Sequence, residues 1–199
     1  MDSVKMHVIK RDGRKEPVSF DKITNRISFL LYGILKDKID PTIITQKIAD
    51  RIKDGITTTE IDEMTAIICV TMSINNYYYG ILAARISIDC HQKNTIASPV
   101  AIYSILYKNR DTNGEHNPLV SDKIYDLAHT YSSQLEGMIV HNRDFNIDYF
   151  GFKTLQKSYL MKSGGKIIER PQHMWLRVAL QLHWNDMDSV KRTYDFLSL

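Results

Sequence analysis

His7-Val8-Ile9-Lys10-Arg11-Asp12-Gly13-Arg14-Lys15-Glu16-Pro17-Val18-Ser19-Phe20-Asp21-Lys22 decides how the N-terminal end of this chain folds. Val8-Ile9 and the residues flanking Val18 can pair as strands across Asp12-Gly13, a dipeptide that favours tight hairpins because glycine accepts positive φ without steric cost. Pro17 has no N–H to give to a ladder, so its strand is expected to be an edge or irregular one. Asp21 or Ser19 can cap the helix that follows. Basic residues are therefore gathered around a glycine turn and a helix tip, a geometry that can hold a polyphosphate between a small sheet and a helix N-terminus.

Outward from this stretch the pattern is helical. Ile23, Ile27, Leu30, Leu31 and Ile34 share one face at helical spacing. Asp40-Pro41 opens a second helix, with proline at its first position, Ile44, Ile48 and Ile52 as its stripe, and Gly55 as its stop. Thr57 and Glu60 form a capping box for a third helix. Its face holds Ile61, Met64, Ile68 and Met72, broadened by Ile67. A fourth helix runs through Tyr78 to Ile86, where Gly80, Ala83 and Ala84 permit close approach and Tyr78, Ile81 and Leu82 fill the core. Four short helices behind a small sheet make a unit of about 90 residues, an ordinary domain size.

In the second half, residues 99–107 read as a short helix after Pro99 and residues 109–118 as a polar loop. Ser121 caps a helix carrying Ile124, Leu127, Ala128, Tyr131 and Leu135. An aromatic segment follows over residues 143–152, in which Arg143, Asp144, Asp148 and Lys153 suggest an ion-pair network. Helix signals resume from Lys153 to Lys162. Gly164-Gly165 is a turn and Lys166-Ile167-Ile168 a short strand. Pro171 starts a helix through Trp175, Val178 and Leu182, with His173 as a structural histidine at its start. A last helix from about Asp186 carries Val190, Tyr194 and Leu197. Trp175, Trp184 and Phe196 are candidates for exposed apolar surface.

Composition limits the function classes. The 199 residues are 43% hydrophobic, with 26 basic and 23 acidic side chains and a formal charge of +3. That balance is globular and too even to imply nucleic-acid binding. Cys69 and Cys90 are the only cysteines. They lack C-x-x-C spacing, so they read as buried thiols of a reducing compartment rather than as a zinc or dithiol pair. The seven histidines are scattered, without a metal-binding spacing, and no protein metal site is expected. No apolar run is long enough to span a membrane and no secretory signal is apparent, so a cytoplasmic location is expected. Helical spacing divides Tyr77-Tyr78-Tyr79 between core and surface, which argues against base stacking.

A nucleoside triphosphate needs cations for its phosphates, walls for its base and a group that reads the base edge. Lys10, Arg11 and Lys22 can supply the cations, since charge-assisted bonds to phosphate are stronger than neutral ones. The helix beginning near Asp21-Lys22 adds free N–H groups and a favourable dipole. Val18 and Phe20 can wall a purine. Thr58 and Asp62, four apart, share a helix face. A carboxylate at Asp62 would repel phosphate but can accept from an adenine amino group. No Walker-type or G-x-G-x-x-G motif is present, so ATP hydrolysis is not indicated.

The run H-V-I-K-R-D-G-R-K-E-x-V-x-F-D-K-I, with T-T-T-E-I-D and I-L-A-A-R-I, resembles an ATP-cone domain. It is most similar to the one at the front of the large subunit of class I ribonucleotide reductase, eukaryotic or viral in style. R-D-F-x-x-D-Y-F-G-F-K-T-L and G-K-I-I-E-R-P-Q-H-M resemble the segment leading into that enzyme's catalytic barrel. The similarity runs from Met6 to Ser198, leaving Met1 to Lys5 as an extension. It implies a mainly α fold with two parts. Residues 1–95 form the ATP cone, a small β-sheet or hairpin cap over a four-helix bundle. Residues 96–199 form a helical segment that leads into an α/β barrel not included in the chain. Position by position, the family's nucleotide contacts fall on Lys10, Arg11, Glu16, Pro17, Val18, Ser19, Phe20, Asp21, Lys22, Thr58 and Asp62. Pro17 and Ser19 stand where the family commonly has other residues, and backbone contacts are expected from them.

The function implied is that of the regulatory front of ribonucleoside-diphosphate reductase, with ATP and dATP, accompanied by Mg2+, as effectors of overall activity. The implied partners are the radical-generating small subunit, the remainder of the large subunit and further copies in a homo-oligomer, with no nucleic acid and no membrane. The family's catalytic cysteines, its barrel Asn and Glu and its S-P-T-x-F-N-A-G-type segment lie beyond this chain. It is therefore expected to be inactive alone, as a fragment, a truncated reading frame or one piece of a split gene. The alternative is a stand-alone or relic ATP-cone sensor without reductase activity.

Overall fold

The computed structural model describes residues 6–199, and the extension Met1 to Lys5 lies outside the described residues. The chain is mainly helical and divides into two compact units. One runs up to Cys90 and includes Asp148–Phe150; the other comprises His91–Ile147 and Gly151–Leu199.

In the first unit, β1 (His7–Ile9) pairs antiparallel with β2 (Lys15–Pro17), with Val8 opposite Glu16. The connection is Arg11-Asp12-Gly13, one residue longer than the Asp12-Gly13 turn the sequence suggests. The Gly13 N–H donates to Lys10 O and the Lys10 N–H to Arg14 O, while Gly13 takes φ 83°. A three-residue loop closed by a left-handed glycine keeps the twist of the flanking strands. Pro17 sits at the end of the edge strand, where its missing N–H breaks no interior ladder.

Helix α1 (Phe20–Phe29) is capped by Ser19, whose Oγ accepts from Lys22 N–H at 3.4 Å, while Asp21 lies in the first turn. Ile23, Ile27, Leu30 and Leu31 are buried, but Ile34 is 59% exposed. The helix ends at Phe29, and a 3-10 turn at Gly33–Leu35 rotates Leu35 into the core in place of Ile34. Helix α2 (Pro41–Ala49), capped by Asp40, buries Ile44 and Ile48 completely.

Gly55 is not the α2 stop, because that helix ends six residues earlier. At φ 79° it instead turns the chain into β3 (Ile56–Thr57), and its N–H donates to His7 O. Strand β3 runs parallel to β1 and gives the sheet order β2-β1-β3. Two residues carry no period, so this strand is invisible to sequence patterning.

Thr57 is both the last residue of β3 and the N-cap of α3 (Thr58–Met72), with the expected capping box to Glu60. Ile61 and Ile68 face the core, whereas Ile67 is 55% exposed and does not broaden the apolar face. Helix α4 (Tyr78–Lys93) buries Tyr79 and Leu82, leaving Tyr78 and Ile81 at the core's margin and Tyr77 exposed. A Cβ on Gly80 would meet Ser73 Cβ at 3.5 Å, an ordinary contact. Each fully buried Ile or Leu contributes about 1.5–3 kcal/mol.

The second unit has its own core of Ile102, Tyr103, Leu106, Leu176, Leu180, Val190 and Tyr194 with their neighbours. It is built from α5 (Pro99–Tyr107), α6 (Asp122–Thr130), α7 (Ser132–Met138), α9 (Pro171–His183) and α10 (Met187–Ser198). Helix α8 (Tyr149–Ser158) starts four residues before the expected Lys153 and ends before Lys162. Lys162 instead belongs to β4 (Lys162–Ser163), which pairs with β5 (Lys166–Ile167) across Gly164-Gly165. Two members of the expected network around the aromatic segment have partners outside it. Arg143 pairs with Asp195 at 2.7 Å, whereas Asp144 is buried and accepts from the amides of Gln92 and Gln172. Phe196 is 84% exposed, while Trp175 packs against the core.

Candidate functional site

The hairpin places Lys10 at its closing pair and Arg11 in its loop, so the two side chains start from one peptide and reach different carboxylates. Lys10 Nζ lies 3.4 Å from Glu16 Oε2, and Lys22 Nζ, from the first turn of α1, lies 2.9 Å from the same oxygen. Glu16 is held below the usual carboxylate range, first by the Lys22 ammonium and then by Lys10. Arg11 Nη2 donates to Asp62 Oδ2 at 3.0 Å and lies 3.6 Å from Cys90 Sγ. Arg26 reaches the same carboxylate from α1, with Nε 3.4 Å from Oδ1 and Nη2 3.4 Å from Oδ2, and also pairs with Asp89. Two cation–carboxylate–cation groups thus stand at adjacent residues of the hairpin: Lys10–Glu16–Lys22 and Arg11–Asp62–Arg26.

The second group is the drier one. The Asp62 side chain is only 8% exposed, whereas Glu16 retains 26%. One helical turn before Asp62, Thr58 Oγ1 is buried without a hydrogen-bond partner, and so is Arg26 Nη1. Buried polar atoms without partners are few in folded proteins and draw attention to sites built for something else. Two of them sit here, a hydroxyl that can donate or accept and a cationic donor.

The remaining expected residues lie on the hairpin and at the start of α1. Val18 donates its N–H to Met6 O and packs against the core, while the Phe20 ring is 40% exposed at the helix start. Pro17 ends β2, Ser19 caps α1 and Asp21 lies exposed in the first turn. Arg26 and Asp89 were not foreseen. The signal available for Arg26 was its spacing of four from Lys22, which puts both cations on one face of α1. Asp89 is 63 residues from its partner, and local pattern carries no trace of that pairing.

Neither cysteine adds nucleophilic chemistry. Cys69 and Cys90 are free and buried. Burial pushes Cys69 up to about 12, and burial followed by the charge of Asp62 pushes Cys90 up to about 11. Both are thiols at neutral pH. Among the described residues no group of three or more His, Cys, Asp or Glu could hold a metal ion, and no helix is long and apolar enough to cross a membrane.

Comparison with known proteins places this geometry. The ATP cone domain family matches residues 6–94, and the ribonucleotide reductase all-alpha domain family matches residues 145–199. The ribonucleoside-diphosphate reductase large subunit of Arabidopsis thaliana is 43% identical over 194 residues, covering 97% of this chain and 24% of that protein. Large chain 2 of Saccharomyces cerevisiae is 44% identical, covering 98% and 22%. The large subunit of Variola virus is 47% identical, covering 97% and 25%. The chain spans about a quarter of the length of these relatives. With a hairpin-and-helix site inside the matched cone and identity running the length of the chain, it belongs to the family of eukaryotic and viral ribonucleoside-diphosphate reductase large subunits, whose N-terminal region it represents.

Proposed function

We propose that residues 1–95 form an effector domain that binds ATP and dATP, and that the bound nucleotide sets the overall activity of a ribonucleoside-diphosphate reductase. Residues 96–199 would form the helical start of that enzyme's catalytic part. The observation that carries this reading is the pair of cation–carboxylate–cation groups at the hairpin, beside two buried polar atoms without partners. Lys10, Arg11 and Lys22 take the phosphates, with the N–H groups at the start of α1 behind them. The backbone of Glu16 to Ser19 and the Phe20 ring flank the nucleotide, and Thr58 and Asp62 meet its sugar or base. A Mg2+ ion would be carried by the phosphates.

ATP and dATP differ by one hydroxyl, so they can regulate only by favouring different states of the assembly. The partners in that assembly are the rest of the large subunit, further copies of it and the radical-generating small subunit. A thermal-shift titration tests the site. Millimolar ATP or dATP should raise the melting temperature, with a stabilisation of about 2.7 kcal/mol at a hundredfold excess over Kd. Replacing Lys10 and Arg11 together by alanine should remove the rise. An unshifted wild-type protein would sink the proposal.

A further inference from the structure

Asp62 raises a problem for a phosphate site, because its carboxylate is held by the same guanidinium that the phosphates need. Arg11 donates to Asp62 Oδ2 at 3.0 Å, and Asp62 is 8% exposed. If Arg11 were its sole counter-ion, moving Arg11 onto a phosphate would leave a buried carboxylate uncompensated and facing an anion, which is strongly unfavourable. Arg26 removes the conflict. It faces both oxygens of Asp62, donating from Nη2 to Oδ2 at 3.4 Å with Nε in ion-pair range of Oδ1 at 3.4 Å, and is itself fixed by Asp89 on α4. Its Nη1 is buried with no partner.

We infer that Arg26 is a positioning residue of the nucleotide site. It is the standing counter-ion of Asp62, which lets Arg11 exchange from Asp62 to the polyphosphate while the Asp62 carboxylate keeps a cationic partner and its orientation toward the ligand. This rests on the nucleotide-site reading above and adds a division of labour to it. Arg11 is the mobile cation and Arg26 the fixed one. A planar, permanently charged fork suits the fixed role, because it can hold two carboxylates in defined directions at once.

The test uses the 199-residue chain. Isothermal titration with ATP and with dATP is run on wild type, Arg26→Lys and Arg26→Gln, and the arginine Nε–H signals of wild type are followed by NMR through the same titration. Arg26→Gln should weaken both nucleotides at least tenfold, and Arg26→Lys, which keeps the charge, should recover most of that loss. In wild type the Arg11 signal should move on binding while the Arg26 signal stays in its ion-paired position. If wild type binds and Arg26→Gln binds within twofold of it, the inference is overturned and the site stands. An Arg26→Lys variant as weak as Arg26→Gln overturns it as well, as does an Arg26 signal that moves with Arg11. Should Arg26→Gln fail to fold, Arg26→Lys and the NMR signals decide by the same criteria. Absence of binding by wild type removes the site itself, and the inference with it.

Discussion

Thr58 opens α3 with a hydroxyl that is buried and unpartnered, and a buried polar group without a hydrogen bond costs about 1–3 kcal/mol. Valine has nearly the same shape and no such debt. Thr58→Val should therefore stabilise the nucleotide-free protein by about 1 kcal/mol and weaken nucleotide binding. Urea unfolding and a binding titration on the same sample check both halves. A variant that is less stable and binds normally would show the hydroxyl to be structural. The opposed signs separate a functional atom from a packing atom, which burial alone does not. Residues such as Lys10, Arg11 and Lys22 were legible in the sequence because charge near a turn is a local feature. The pairing of Arg11 and Arg26 on Asp62 was not, since it joins positions 51 and 36 residues apart.

Thr57 shows what an element boundary can do. It ends β3, caps α3, and shares three bonds with Glu60: the Glu60 N–H donates to Thr57 Oγ1 at 3.1 Å, and the Thr57 N–H and hydroxyl donate to Glu60 Oε2 at 2.8 and 2.7 Å. The capping box was readable because its two members lie three apart. The strand was not, because its partner β1 lies 48 residues earlier and parallel pairing leaves no local mark. Ile34 and Ile67 fail for a related reason. Helical spacing selects a stripe, but where a helix stops, and how wide its buried face is, depend on neighbours not adjacent in sequence. Thr57→Ala removes the hydroxyl of the cap and should cost about 1 kcal/mol. Nucleotide affinity should stay near that of wild type, since Thr57 faces its own helix rather than the cations of the hairpin. An affinity loss as large as that of the Lys10/Arg11 double variant would contradict that assignment.

At the scale of the whole chain, the two units differ in what holds them together, and the second is exposed to acid. His173 accepts the Arg170 N–H at Nδ1, 3.1 Å, and faces Ala97 O with Nε2 at 2.9 Å, which requires the neutral ring protonated at Nε2. His91 faces Glu169 O through Nε2 at 3.0 Å. Burial pushes His173 down to about 3 and His91 down to about 4. Burial also lowers His141. Asp144 moves the other way, up to about 6, because its burial outweighs the amides of Gln92 and Gln172. Below about pH 6.5 the unfolded chain takes up histidine protons that the folded unit refuses, so these residues lose stability as pH falls. Asp144 keeps a proton in the folded state between about pH 6 and 4 that the unfolded chain releases, so it gains stability over that window. His91 and His173 set against Asp144 leave a net difference of about one proton, and His141 adds to it in the same direction. The second unit should lose at least about 1.4 kcal/mol per pH unit between pH 6 and 4.5. Both tryptophans, Trp175 and Trp184, lie in that unit, so tryptophan fluorescence during urea unfolding reports it selectively. Asp144→Asn removes the opposing group and should steepen the loss to at least about 2.7 kcal/mol per pH unit. A wild-type midpoint flat from pH 7 to 5, or an unchanged slope in Asp144→Asn, would show that these buried groups do not set the acid stability of the unit.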